Sequence, residues 1–169
     1  MERLAWLEQT DLSIWMRESD WGFPIMLCFH AVGMGLVVGI SFMFSARVLG
    51  YARDFPLAAF ERLFGIAWLG FAMNAVSGVL LFIGEPRRLL LTPAFLIKLA
   101  LIVFAGFSVW FLMTALHGAE SPAGADAGLP RELAVTPNAK IAAIIPIVFW
   151  VGAIVAGRLI GYTIAPPPE

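Results

Sequence analysis

The sequence predicts an all-α protein, a four-helix transmembrane bundle with an interfacial amphipathic N-terminal segment. Hydrophobic residues make up 60% of the 169 residues, whereas soluble domains contain about 45–50%. Four apolar runs are each long enough to cross a bilayer, because about 20 helical residues span its hydrocarbon core. Charges are sparse and nearly balanced, with 11 Lys and Arg against 12 Asp and Glu. The apolar runs predict the lipid bilayer as a partner, and the charge balance predicts no nucleic-acid partner.

The N-terminal segment, residues 1–22, is predicted to lie at the membrane interface. It carries charged residues throughout and has no apolar core or small-residue cleavage site, so we expect no cleavable signal peptide. Its three tryptophans, Trp6, Trp15 and Trp21, suit the headgroup zone, where indole rings are favoured. Residues 3–18 are therefore expected to form a partly helical, surface-lying segment that leads into the first span.

The transmembrane domain is predicted over residues 23–164. The four predicted spans are 23–48, 62–83, 93–116 and 139–162. A polar link (49–61), a turn (84–88) and a Gly-, Ala- and Pro-rich loop (118–138) connect them, and the last of these is expected to be mobile. Glycines four residues apart, Gly35 with Gly39 and Gly157 with Gly161, predict close helix contacts in lipid.

An even number of spans places both termini on one side of the membrane, here called side X, and side Y is the opposite one. Basic residues near side Y are Arg47, Arg53, Arg62, Arg131 and Lys140, and those near side X are Arg3, Arg17, Arg87 and Arg88. Because cytoplasmic loops are enriched in Lys and Arg, side Y is predicted to be cytoplasmic and the termini periplasmic.

His30 is an ionisable residue inside the first span, which makes it a functional candidate by default. Helix rise places it roughly 10 Å below side X. The other spans bring polar groups to the same leaflet: Asn74 and Ser77, then Lys98, then Arg158 and Tyr162. No acidic residue lies within the predicted spans, so these cations are expected to take an anion from outside, such as a haem propionate, a quinone oxygen or a lipid phosphate.

A neutral histidine beside such cations is a suitable ligand for haem iron. The other histidine, His117, ends the third span near side Y, about 20 Å from His30, so the two cannot ligate one iron. A haem on His30 would therefore be five-coordinate, or would use Met73, or would share His30 from two protomers.

Two other functions compete with haem binding. Met26, His30 and Met34 recur at every fourth residue on one helix face, and Met with His suits Cu(I), which predicts copper transport or storage. Alternatively, His30 bonds only to Asn74 or Ser77 across helices, and the cations extend to the headgroups. The chain would then be a cofactor-free structural accessory subunit that binds lipid or quinone.

Three segments, FHAVGMGLVVGISFMFSARVLG, TPAFLIKLALIVFAG and GRLIGY, resemble a family of small four-helix bacterial inner-membrane proteins with no assigned activity. The resemblance covers nearly the whole chain and implies this fold and this membrane. More distantly, His30, Arg47 and Lys98 are similarly placed in the membrane protoporphyrinogen oxidase that carries haem b, and the His30 helix is similar to that of copper-resistance membrane proteins.

The oxidase resemblance implies that His30 and Lys98 form a functional pair. The oxidase's Asn-Glu-Pro motif is not matched, since residues 136–138 are Thr-Pro-Asn without an acid. The closer family tends to carry a histidine where this chain has Met113.

The leading prediction is a b-type haem-binding membrane protein, an electron-transfer or anchor subunit of a larger redox complex or a homodimer, with quinone as a further partner. His30 is predicted to ligate the iron. Lys98 and Arg158 are predicted to hold propionates, and Asn74, Ser77 and Tyr162 to supply hydrogen bonds. The alternative metal ligands are Met26, Met34 and Met73, and no catalytic residue is predicted.

Overall fold

The computed structural model describes residues 4–51, 58–118 and 137–163. Within these ranges the chain forms seven helices and no strand, which confirms the predicted fold class. The helices are α1 (Ala5–Glu8), α2 (Asp11–Glu18), α3 (Gly22–Leu49), α4 (Ala58–Gly84), α5 (Pro86–Leu91), α6 (Pro93–Gly118) and α7 (Pro137–Thr163).

Four of these helices are long and apolar enough to cross a membrane, so the chain is a multi-pass membrane protein. The candidate spans are Gly22–Leu49, Arg62–Gly84, Pro93–Thr114 and Lys140–Thr163, each within two residues of its prediction at both ends. Most of the predicted mobile loop, residues 119–136, lies outside the described residues, as do residues 52–57 of the polar link.

The four long helices form two pairs. Helix α3 packs along α4 and α6 packs along α7, and the pairs meet where α3 contacts α7. Two apolar clusters fill the interior toward side Y: Phe44, Val48, Phe60, Leu112 and Ala143 in one, and Val38, Ala105, Trp150 and Ala153 in the other. The polar candidates therefore lie in the remaining part of the bundle, toward side X.

Helices α3 and α4 approach most closely at two glycines that the GxxxG pattern did not include. A Cβ atom added to Gly33 would lie 2.7 Å from the Gly70 carbonyl oxygen, and one added to Gly70 would lie 2.7 Å from the Leu36 Cβ atom. Side chains at either position would force the two backbones apart.

The predicted close contacts at Gly35 and Gly39 are wrong, because a Cβ built at either position has no described atom within 4 Å beyond its chain neighbours and the adjoining backbone of α3. The same holds for Gly161, whereas Gly157 does contact the Lys98 side chain. The reason is rotational: Gly35 lies two residues after Gly33 and so points roughly 160° away from it around α3.

The N-terminal segment is helical and docks on the end of α4. Thr10 caps α2, since its Oγ1 accepts a hydrogen bond from the Ser13 backbone N at 3.3 Å. The buried Ser13 hydroxyl donates to the Ile83 carbonyl at 2.9 Å, and Glu8 pairs with Arg87 through an Nε–Oε2 contact of 2.8 Å. The predicted turn at 84–88 ends α4 at Gly84, but Pro86 begins the short helix α5, in agreement with the preference for proline in a first turn.

Candidate functional site

The His30 imidazole lies between α3 and α4 with its Nδ1 atom held by α4. Nδ1 is 3.0 Å from the Asn74 main-chain oxygen and 3.2 Å from the Ser77 Oγ. A carbonyl oxygen can only accept, so Nδ1 carries the hydrogen and donates it. The Ser77 hydroxyl donates to the Met73 carbonyl at 2.6 Å, which leaves its oxygen free to accept from His30. A neutral ring with hydrogen on Nδ1 has its lone pair on Nε2.

Lys98 on α6 occupies that lone pair. Its Nζ lies 3.2 Å from the His30 Nε2, and an ammonium group can only donate, so the hydrogen bond runs from lysine to histidine. The lysine stem lies along the bare backbone of α7, where a Cβ added to Gly157 would be 3.4 Å from the Lys98 Cδ and Cε atoms. The half-buried Lys98 therefore links three helices.

Asn74 ties α3 to α4 with a reciprocal pair of contacts. Its Nδ2 donates to the His30 main-chain oxygen at 2.8 Å, while its own main-chain oxygen accepts from the imidazole. One turn further along α4, Gly78 leaves room for the ring, since a Cβ there would be 3.1 Å from the His30 Cε1.

The structure joins His30, Asn74, Ser77 and Lys98, which were predicted to lie at one depth, in one hydrogen-bonded cluster, here called the His30 cluster. The glycines that permit this cluster, Gly70 and Gly78, are not among the predicted site residues. A usable signal was present: Gly70, Asn74 and Gly78 recur every fourth residue and so form one small-residue face on α4.

No acidic side chain neutralises the His30 cluster within the described part of the chain. The ion pairs found there join Arg87 to Glu8 and Arg88 to Glu85, and all four residues lie at side X outside the candidate spans. Lys98 instead has the uncharged His30 nitrogen as its hydrogen-bond partner. The arrangement can therefore accept an anion beside Lys98, and the Nε2 atom of His30 can bind a metal only after Lys98 gives up its hydrogen bond.

Arg158 and Tyr162, which were predicted to lie at the same depth, are not joined to the His30 cluster. Both are exposed on α7, with 75% of Tyr162 accessible. Among the described residues, no hydrogen bond joins either of them to His30 or Lys98. Gly157 faces Lys98, and the next residue, Arg158, points about 100° further around the helix. Their predicted role in cofactor binding stays a prediction.

The methionines proposed as metal ligands are half-buried. Met26 and Met34 lie one turn before and one turn after His30 on α3, and Met34 packs against the apolar cluster around Val38. Met73 directly precedes Asn74 on α4. Among the described residues, no group of three or more His, Cys, Asp or Glu side chains could hold a metal ion. The His117 side chain lies outside the described residues, so its predicted position near side Y is not tested.

Comparisons with protein-family models, with curated proteins and with solved structures found no match to this chain. The family resemblances stated above therefore stay predictions.

Proposed function

We propose that the chain is a b-type haem-binding membrane protein in which His30 would ligate the iron. The observation that supports this most is the hydrogen bond from the His30 Nδ1 to the Asn74 carbonyl, at 3.0 Å. Histidines that bind metals almost always donate the other ring N–H to a carbonyl, a carboxylate or water, which fixes the tautomer and the ring orientation. The Nδ1 atom of His30 already has this support, and Nε2 is the atom that would bind the iron.

The residues around Nε2 fit a haem better than a bare metal ion. Lys98 places a positive charge at the imidazole and has no acidic partner in the described bundle, so the carboxylates of haem b would supply the missing counter-charge. Asn74 and Ser77 would keep the imidazole oriented. Bound haem b would supply one-electron redox chemistry or small-molecule binding.

We further propose that the protein is an electron-transfer or anchor subunit of a larger redox complex in a bacterial inner membrane, with its termini in the periplasm. Support comes from the distribution of the described residues, because only the short helices α1, α2 and α5 lie outside the four candidate spans. The described part of the chain therefore offers an electron carrier a membrane position but little extramembrane surface.

The second candidate is a cofactor-free accessory subunit. One observation favours it: both ring nitrogens of His30 already have partners within the chain, Asn74 on one side and Lys98 on the other. Interhelical polar contacts of this kind stabilise membrane helix pairs by about 1 kcal/mol without any ligand.

A visible absorption spectrum of detergent-purified protein from haem-replete cells separates these functions. We expect a Soret band and, after dithionite reduction, α and β bands, with stoichiometric haem. His30→Ala should lose most of the haem, while His117→Ala, which removes the other histidine, should retain it.

Haem retained at full stoichiometry in His30→Ala would contradict the proposal. Colourless protein with stoichiometric copper would favour copper handling through Met26, His30 and Met34. Protein free of both would favour the accessory subunit.

A further inference from the structure

We infer that Lys98 determines the ligand specificity of the His30 cluster: it occupies the Nε2 atom of His30 and releases it only to a metal ligand that brings its own negative charge. This inference rests on the proposed function, because it concerns the same imidazole nitrogen. It adds a preference for ligands that carry free carboxylates, which haem binding by His30 alone does not require.

The first step is competition for one lone pair. With hydrogen on Nδ1, the neutral ring has a single lone pair in its plane, on Nε2, and the Lys98 ammonium donates to it across 3.2 Å. His30 must give up this hydrogen bond before Nε2 can donate to a metal. The proton stays on Lys98, so the displaced group is still a cation.

The second step is where the displaced cation goes. Its stem is packed on α7, since a Cβ added to Gly157 would lie 3.4 Å from Cδ and Cε and 3.5 Å from Nζ. This packing anchors the stem on α7, so the ammonium stays within the bundle after the hydrogen bond breaks. It would then be a desolvated charge next to a metal cation, with no carboxylate bonded to it in the described bundle.

The third step is how that cost is offset. A carboxylate on the ligand periphery forms a charge-assisted hydrogen bond to the ammonium and replaces the one that His30 gave up. A metalloporphyrin with free propionates meets this requirement. A bare metal cation, or a metalloporphyrin whose propionates are esterified, does not meet it and leaves Lys98 without a partner.

The test compares two ligands with the same iron and ring: haemin, which has free propionates, and haemin dimethyl ester, which has none. Purified haem-free protein in neutral detergent is titrated with each, and the dissociation constants are read from the Soret band. The wild-type protein should prefer haemin by about tenfold or more, the size of one charge-assisted contact. Lys98→Met, which keeps an unbranched apolar stem, should lose this preference and bind the diester more tightly than wild type.

Two control variants separate specificity from general damage. Lys98→Arg keeps the positive charge and should retain the preference for haemin. Lys140→Met removes a charge from the opposite end of the bundle, at the start of the fourth span, and should behave as wild type.

The outcomes are distinguishable. If haemin binds through His30 but the diester binds equally well, or if Lys98→Met keeps the wild-type preference, the inference is overturned and the proposed function stands. If neither porphyrin binds, or if His30→Ala leaves both affinities unchanged, the proposed function fails and the inference falls with it.

Discussion

Asn74 and Lys98 act on the same imidazole in different ways. The Asn74 carbonyl fixes which nitrogen carries the hydrogen, and the Lys98 ammonium binds the nitrogen that does not. Because the carbonyl belongs to the main chain of α4, no substitution of the Asn74 side chain removes it directly. The ring orientation therefore depends on the spacing of α3 and α4, while access to Nε2 depends on the single Lys98 side chain.

At the side X end, the ion pair between Glu8 and Arg87 predicts a pH dependence of stability. The hydrogen bonds from Arg87 hold the pKa of Glu8 below its ordinary value of 4.5. A carboxyl whose pKa is lowered by folding stabilises the folded state above its unfolded pKa. That contribution is lost as the pH falls through the lower folded pKa.

We expect Glu8→Gln to unfold at a lower temperature than wild type at neutral pH, and the two proteins to converge in acid below the folded pKa of Glu8. Thermal unfolding in detergent across this pH range measures the difference. Glu18→Gln, which changes an exposed residue of α2, is the matched control and should follow wild type. A constant offset between Glu8→Gln and wild type at every pH would contradict the assignment.

At the scale of helices, the contact between α3 and α4 depends on backbone approach more than on side-chain volume. Gly33 and Gly70 face each other. A Cβ atom added to Gly33 would also lie 2.7 Å from the Asn74 backbone nitrogen. The same contact that brings the helices together therefore places the Asn74 carbonyl within reach of His30. The packing of α3 on α4 therefore also determines the geometry of the His30 cluster.

Gly33→Ala should destabilise the protein by about 1–3 kcal/mol, because the added methyl group overlaps the backbone of α4 and forces the helices apart. Gly35→Ala is the matched control on the same helix, with open space around its Cβ. It should be neutral or stabilising by up to about 1 kcal/mol, since alanine is the better helix former. Unfolding by increasing SDS in mixed micelles measures both variants. Equal stabilities would show that the close approach of α3 and α4 is not the constraint.

The N-terminal helix α2 is held in place by its packing on the end of α4 as well as by its own helix-forming sequence. The last carbonyls of a helix have no partner within it. At the end of α4 the Ser13 hydroxyl supplies one, donating to Ile83 at 2.9 Å, and Met16 beside it is 1% exposed. Helix α2 is thus part of the folded bundle at side X as well as a lead-in to the first span.

Across the whole molecule, the four long helices differ in how much of their surface is buried. In α3 and α7, 28% of the residues in an apolar membrane-spanning stretch are buried within the chain, against 11% in α4 and α6. Helices α3 and α7, which contact each other where the two pairs meet, are therefore the inner helices, and α4 and α6 present most of their apolar surface to lipid. In the proposed redox complex, these two helices are the surfaces available to partner subunits.

Four spans predict that both termini lie on the same side of the membrane. Alkaline phosphatase fused at either terminus should be active, because the excess of basic residues at side Y predicts periplasmic termini. The same reporter inserted within residues 52–57 or 119–136 should be inactive. Termini on opposite sides would contradict the four-span topology, whereas two cytoplasmic termini would contradict the sidedness alone.

The positions of the spans and the depth of the polar residues followed from the sequence because both depend on local quantities. Hydropathy marks the spans, and a rise of about 1.5 Å per residue converts residue number into depth. On this basis the sequence predicts that His30, Asn74, Ser77 and Lys98 lie in one leaflet. The ends of α3 at Leu49 and of α4 at Gly84 also depend on local sequence. Gly50, at φ 97°, ends α3, and Pro86 lies just after the end of α4.

The direction in which each residue faces was decided only by the tertiary structure. Gly33 and not Gly35 contacts α4, and Gly157 and not Arg158 faces Lys98. In a soluble protein, the alternation of apolar and polar residues shows which helix face is buried. In a membrane, lipid and the protein interior are both apolar, so the hydrophobic pattern determines where a helix lies along the membrane normal and leaves its rotation to packing against its neighbours.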